Sequence, residues 1–135
     1  MTSIEVHATP ADIMKKAVVK MDAILANYPF SDTRIKTAAE QFVDRYRNSK
    51  AKALGHSIGL EVHDVRNPTA TLEPGQLFTI EPAMLIAEEH IGIRLEDMIL
   101  ITSTGYENLS AFVPVEIADI EKIMAEPGLS DALRK

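Results

Sequence analysis

Cysteine is absent from the 135 residues. That excludes a disulfide scaffold, a thiolate zinc site and a cysteine nucleophile, and it suits a reducing compartment. No stretch approaches the roughly 20 apolar residues that a bilayer crossing needs. The opening segment, MTSIEVHATP, lacks the basic and apolar regions of a signal peptide. Positive charge is scarce too: 14 Lys+Arg stand against 20 Asp+Glu, a formal charge of −6, with no basic run of five or more. This balance argues against nucleic acid as a partner. There is no GxSxG elbow, P-loop, GxGxxG or HExxH helix, no internal repeat and no low-complexity tract. What is present, 46% hydrophobic and 25% charged residues, suffices for one packed core. The expectation is a soluble, cytoplasmic protein of one domain, or a piece of a larger one.

Residues 1–50 read as mainly helical, 51–115 as strands and turns, and 116–126 as a short C-terminal helix. Thr9-Pro10-Ala11-Asp12 combines a hydroxyl N-cap, proline in the first turn and an acid at the positive dipole end. Ile13, Met14, Ala17, Val18, Met21, Ile24 and Leu25 then recur at helical spacing until Asn27-Tyr28-Pro29. A second helix is expected from Ser31 or Asp32, with Ile35, Ala38, Ala39, Phe42, Val43 and Tyr46 on one face. Gly55 and Gly59 imply a bent backbone, and Pro68, Pro74 and Gly75 punctuate the stretch after them. Leu77–Glu81 is β-rich and stops at Pro82; Ile91–Glu96 alternates at period two; Met98–Thr102 is a continuous apolar run. Thr104-Gly105 marks a turn. These elements predict an α+β fold, an antiparallel sheet with helices outside it.

Five side chains could carry chemistry: His56, His63, Glu81, Arg94 and Glu96. Taken singly, each has an ordinary structural role available. A histidine near a turn is commonly just hydrogen-bonded, a glutamate at a strand end solvated, and Arg94 beside Glu96 an ion pair. His7 and His90 lie in polar, loop-like surroundings and receive no role.

Taken together the segments say more. Gly55-His56-Ser57-Ile58-Gly59-Leu60-Glu61-Val62-His63-Asp64 resembles the GHxxGLxxH[DE] signature of the pita-bread metallopeptidases, within which it is most similar to Xaa-Pro aminopeptidases and proline dipeptidases. Leu72-Glu73-Pro74-Gly75-Gln76-Leu77-Phe78-Thr79-Ile80-Glu81-Pro82 resembles the EPGMxFTIEP block of that family. Ile91-Gly92-Ile93-Arg94-Leu95-Glu96-Asp97 resembles its GIRIED block and is followed by a strand, a glycine turn and Glu107-Asn108-Leu109-Ser110. Three ordered blocks within residues 54–110 make the match specific. Methionine aminopeptidases share the fold but match these blocks less closely.

The resemblance implies half of a pita-bread fold, a curved antiparallel sheet with helices on its outer face, carrying a dinuclear metal site. By resemblance His56, Glu81 and Glu96 are the metal ligands, Glu96 bridging both ions. His63 binds substrate and steadies the tetrahedral intermediate, Glu81 shuttles a proton, and Arg94 orients Glu96. Manganese is the first expectation, with cobalt, zinc or iron as alternatives, since mixed oxygen and imidazole ligands suit all four. The implied substrate is a peptide with proline second.

The departures are equally informative. The family's other two ligands are aspartates on an upstream hairpin, whereas the 55 residues before His56 read as two helices. Asp12, Asp22, Asp32 and Asp44 all fall in helical or capping patterns. A histidine common in the family four residues before the histidine ligand is here Lys52, whose ammonium would repel cations. The expectation is therefore the C-terminal half of a catalytic domain, inactive alone, that self-associates or takes up a missing N-terminal half. The alternative is a non-catalytic module that binds peptides or proteins, as some pita-bread relatives do.

Overall fold

In a computed structural model, residues 3–50, 53–65, 67 and 70–128 are described. Helix α1 spans Pro10–Asn27 and α2 spans Thr33–Arg47. Six strands follow among the described residues: β1 (Ser57–Ile58), β2 (Leu77–Ile80), β3 (Ala83–Ile86), β4 (Ile91–Arg94), β5 (Asp97–Thr102) and β6 (Gly105–Asn108). Helix α3, Ile117–Met124, completes the order.

Local chemistry sets the helix ends. Thr9 and Asp12 form a reciprocal capping box: the Asp12 amide donates to Thr9 Oγ1 at 3.2 Å and the Thr9 amide to Asp12 Oδ2 at 3.4 Å. The last turn closes with the Tyr28 amide on the Ile24 carbonyl, one residue before Pro29. Asp32 caps α2 by accepting the Arg34 amide at 2.7 Å. The two helices pack side by side, burying Met14 and Val18 from one and Ala38, Ala39 and Val43 from the other. Arg47 bonds both Asp22 and Asp44 across their rim.

The sheet runs β1-β2-β5-β6, all antiparallel, with Phe78 opposite Ile99 and Ile80 opposite Asp97. Its inner face supplies Phe78, Ile99 and Ile101, which join Ile4, Ile13 and Leu72 in one core cluster. The apolar run 98–102 therefore splits by face: Ile99 and Ile101 are buried whereas Met98 is exposed.

A separate hairpin, β3 paired with β4, comes after Pro82. No element is expected from the sequence over the apolar run Ala83–Ile86. The strand forms because Pro82 ends the β2 ladder and the chain re-pairs with Ile91–Arg94, packing against α2. Tyr46 Oη accepts the Ala83 amide at 3.0 Å and Arg34 reaches Glu89 at 2.7 Å, tying hairpin to helix. Every residue of β4 is exposed, and α3 buries none of its residues. No described helix is long and apolar enough to cross a membrane.

Candidate metal centre

The segment entering β1 continues its ladder backwards along β2: the Thr79 amide donates to the His56 carbonyl and the Glu81 amide to the Leu54 carbonyl, both at 2.8 Å. This pairing depends on Gly55, where a Cβ would fall 1.8 Å from the Thr79 carbonyl oxygen. No side chain fits there. The close approach places His56 beside the end of β2, where Glu81 leaves the sheet.

Thr79 holds the two together. Its side chain is buried, with the residue only 1% exposed. Its hydroxyl accepts the His56 amide at 2.9 Å and lies 3.4 Å from the His56 carbonyl and 3.5 Å from Glu81 Oε1. One hydroxyl proton remains to be given to one of those two acceptors.

His56 Nδ1 lies 3.1 Å from the Ser57 carbonyl, an acceptor that requires Nδ1 to carry the proton. In the neutral ring, Nε2 then presents a lone pair to Glu81 Oε1 at 3.3 Å. Two lone pairs this close need a positive species between them, a proton or a cation. Arg94 Nη1 meets the other oxygen, Glu81 Oε2, at 2.8 Å. The side-chain exposures of His56 and Glu81 are 20% and 18%, so the pair is open to an ion yet largely shielded.

Glu96 completes the group. It lies in the link between β4 and β5, and one ligand atom from each of His56, Glu81 and Glu96 falls within 4.8 Å of the others. That span is close to twice a metal–ligand bond of about 2.1 Å. Among the described residues it is the single cluster of three or more potential ligands. One imidazole nitrogen converging with two carboxylates is a donor set that fits a borderline or hard divalent cation.

His63 is brought alongside without joining the trio. Its ring centroid sits 4.2 Å from that of His56, the planes inclined at 52°. Residues 59–63 make bends and turns rather than a strand, and the Asp64 amide folds back onto the Ser57 carbonyl at 3.1 Å. The Asp64 carboxylate packs against Gly59, where a Cβ would meet Oδ2 at 1.7 Å.

Arg94 differs from expectation. The ion pair foreseen with Glu96 forms with Glu81 instead, because Arg94 lies opposite Ala83 and so faces the chain as it leaves Glu81 and Pro82. The four upstream aspartates stay away from the trio. Asp12 and Asp32 cap helices, while Asp22 and Asp44 pair with Arg47. Lys52 lies outside the described residues. Sequence reasoning missed Thr79, although it stands inside the FTIEP-like block, and it gave no role to Asn108 and Ser110, which bond Asp97.

Known proteins are similar to this chain in sequence and fold. The family model described as metallopeptidase family M24 matches residues 6–103. An Xaa-Pro aminopeptidase of Haemophilus influenzae is 40% identical over 102 residues, covering 67% of this chain and 23% of that protein. Among solved structures, proline aminopeptidase P II from Yersinia pestis superposes with a TM-score of 0.64 at 29% identity, over 90% of this chain and 30% of that one. Zinc-substituted Escherichia coli aminopeptidase P in complex with product gives a TM-score of 0.64 at 27% identity, over 94% of this chain and 32% of that one. The chain thus spans less than a third of each of these relatives. With a family model covering most of its length and the three blocks folded into one site, this chain belongs to metallopeptidase family M24.

Proposed function

We infer that the chain is the C-terminal half of the catalytic domain of an Xaa-Pro aminopeptidase, acting on peptides with proline second in a cytoplasmic setting. The observation that carries this reading is the convergence of His56, Glu81 and Glu96 within 4.8 Å, at the strand ends that their three sequence blocks supply. These residues would hold a divalent cation, manganese first. When bound, the metal pair supplies Lewis acidity and a nucleophilic water at neutral pH.

The remaining work falls to the protein. His63, exposed beside His56, would hold the substrate carbonyl as charge develops on its oxygen. Glu81 can take a proton from water on a carboxylate oxygen and return it to the leaving amine. Arg94, bonded to Oε2 at 2.8 Å, keeps that carboxylate oriented while it does so. Three donors cannot satisfy two cations, since both charge and coordination number fall short. The isolated chain therefore binds at most one divalent ion, weakly, and has little peptidase activity. Isothermal titration with manganese checks this; two tight sites per chain would overturn it. Hydrolysis of an Xaa-Pro dipeptide with manganese, appearing only once an N-terminal half is supplied, is the expected functional result.

A further inference from the structure

We propose that Asp97, Asn108 and Ser110 are positioning residues for Glu96, a role that rests on the reading of Glu96 as a metal ligand. Glu96 lies in the two-residue link between β4 and β5, bracketed by the exposed strand β4 on one side and by Asp97 on the other. On the β4 side the Leu95 amide donates to the Pro82 carbonyl at 3.4 Å, and the denser set of bonds lies on the Asp97 side.

That side is held by a closed set of hydrogen bonds. Asp97 Oδ1 accepts from Asn108 Nδ2 and from the Ser110 hydroxyl, each at 2.8 Å. The Ser110 oxygen in turn accepts the Met98 amide at 3.0 Å, and the Ser110 amide donates to Asn108 Oδ1 at 3.0 Å. The Leu109 amide donates to the Met98 carbonyl at 2.8 Å. Ser110 Oγ is also 2.8 Å from Asn108 Oδ1, but that oxygen already accepts the Ser110 amide. The hydroxyl proton therefore goes to the stronger acceptor, the Asp97 carboxylate.

The register gives these bonds their consequence. Asp97 lies opposite Ile80, so the residue before Asp97 and the residue after Ile80, Glu96 and Glu81, leave the sheet at the same end. Pinning Asp97 and Met98 to residues 108–110 sets where the Glu96 backbone emerges relative to Glu81. The segment Asn108-Leu109-Ser110 thus acquires a function: it clamps the start of β5, directly after the third donor.

The test is the affinity of the full chain for manganese alone, followed by the electron paramagnetic resonance of the free ion, in Asn108→Ala, Ser110→Ala, Ser110→Thr and Glu96→Gln. Asn108→Ala and Ser110→Ala should each raise the dissociation constant about threefold to tenfold, below the roughly 10- to 100-fold of groups that bond a ligand directly, because they act on Glu96 through Asp97 and the backbone. Ser110→Thr, which keeps the hydroxyl, should bind as the parent does. Circular dichroism and the urea midpoint identify any variant that merely unfolds, and Ser110→Thr against Ser110→Ala then isolates the hydroxyl. If Glu96→Gln weakens binding while the Asn108 and Ser110 variants match the parent, the positioning role is wrong and the metal site stands. If Glu96→Gln changes nothing, Glu96 is no ligand and both readings fail.

Discussion

At the scale of single residues, the chemistry turns on which atom of each side chain is already engaged. His56 gives its Nδ1 proton to a backbone carbonyl and its amide to Thr79, so only Nε2 is left to face Glu81. Thr79→Val keeps the volume but leaves the His56 amide without its partner in a buried setting. That should destabilise the chain by about 1–3 kcal/mol, read as a lowered urea midpoint, and Thr79→Ser should restore much of it. Gly55→Ala is harsher, because the new Cβ collides with backbone rather than with a movable side chain. A loss of about 4 kcal/mol or more is expected, in the range reserved for severe core disruption, with the His56–Thr79 pairing lost from amide-exchange protection. Arg94→Ala removes one partner of a partly exposed pair. Screening keeps its effect on stability to about 0.5–1 kcal/mol, so the larger change should appear in manganese affinity.

At the scale of elements, helix caps and turns tie the fold to pH. The Thr9 hydroxyl and amide hold the Asp12 carboxyl below its ordinary 3.8, and Arg34 does the same for Asp32. The Thr71 hydroxyl and then His7 lower Glu73 from its ordinary 4.5. Each acid is thus more readily ionised folded than unfolded, so its contribution is complete above the ordinary value and is lost as pH falls through the folded one. Thermal midpoints should therefore hold steady above about pH 5 and decline below about pH 4.5. In Thr9→Ala the acid-side decline should be shallower, because Asp12 no longer has its cap to lose. Melting curves across that range decide the point.

Helices α1 and α2 were legible from residues alone, down to Thr9, Asp32 and Pro29, because capping and proline act within one turn of chain. The hairpin partner β3 was not, since Ala83–Ile86 becomes a strand only by meeting Ile91–Arg94. The identities of His56, His63, Glu81, Arg94 and Glu96 could be read from their blocks. That Arg94 serves Glu81 rather than its near neighbour Glu96 could not, because strand register rather than sequence distance sets the pairing.

At the scale of the whole molecule, apolar surface remains uncovered. In β4 and the link after it Ile93 and Leu95 are exposed, and in α3 Ile117, Ile123 and Met124 are at least half exposed. Phe112 is 86% exposed. Exposed apolar side chains in this number favour association with a partner. Light scattering at rising concentration should show species heavier than the 14.9 kDa chain, and replacing Ile117, Ile123 and Met124 with polar residues should reduce them. A strict monomer at high concentration would count against self-association.

Sequence by itself determined the helices, the glycine bends and the kinds of side chain available for chemistry, because those depend on neighbours within a few residues. Tertiary structure decided how residues 56, 81 and 96, singled out by their blocks, come within 4.8 Å of one another, and that Thr79 and Asp97 stand behind them. The reason is physical: a ligand set requires atoms a few ångströms apart, and in a sheet that distance is set by register between strands far separated along the chain.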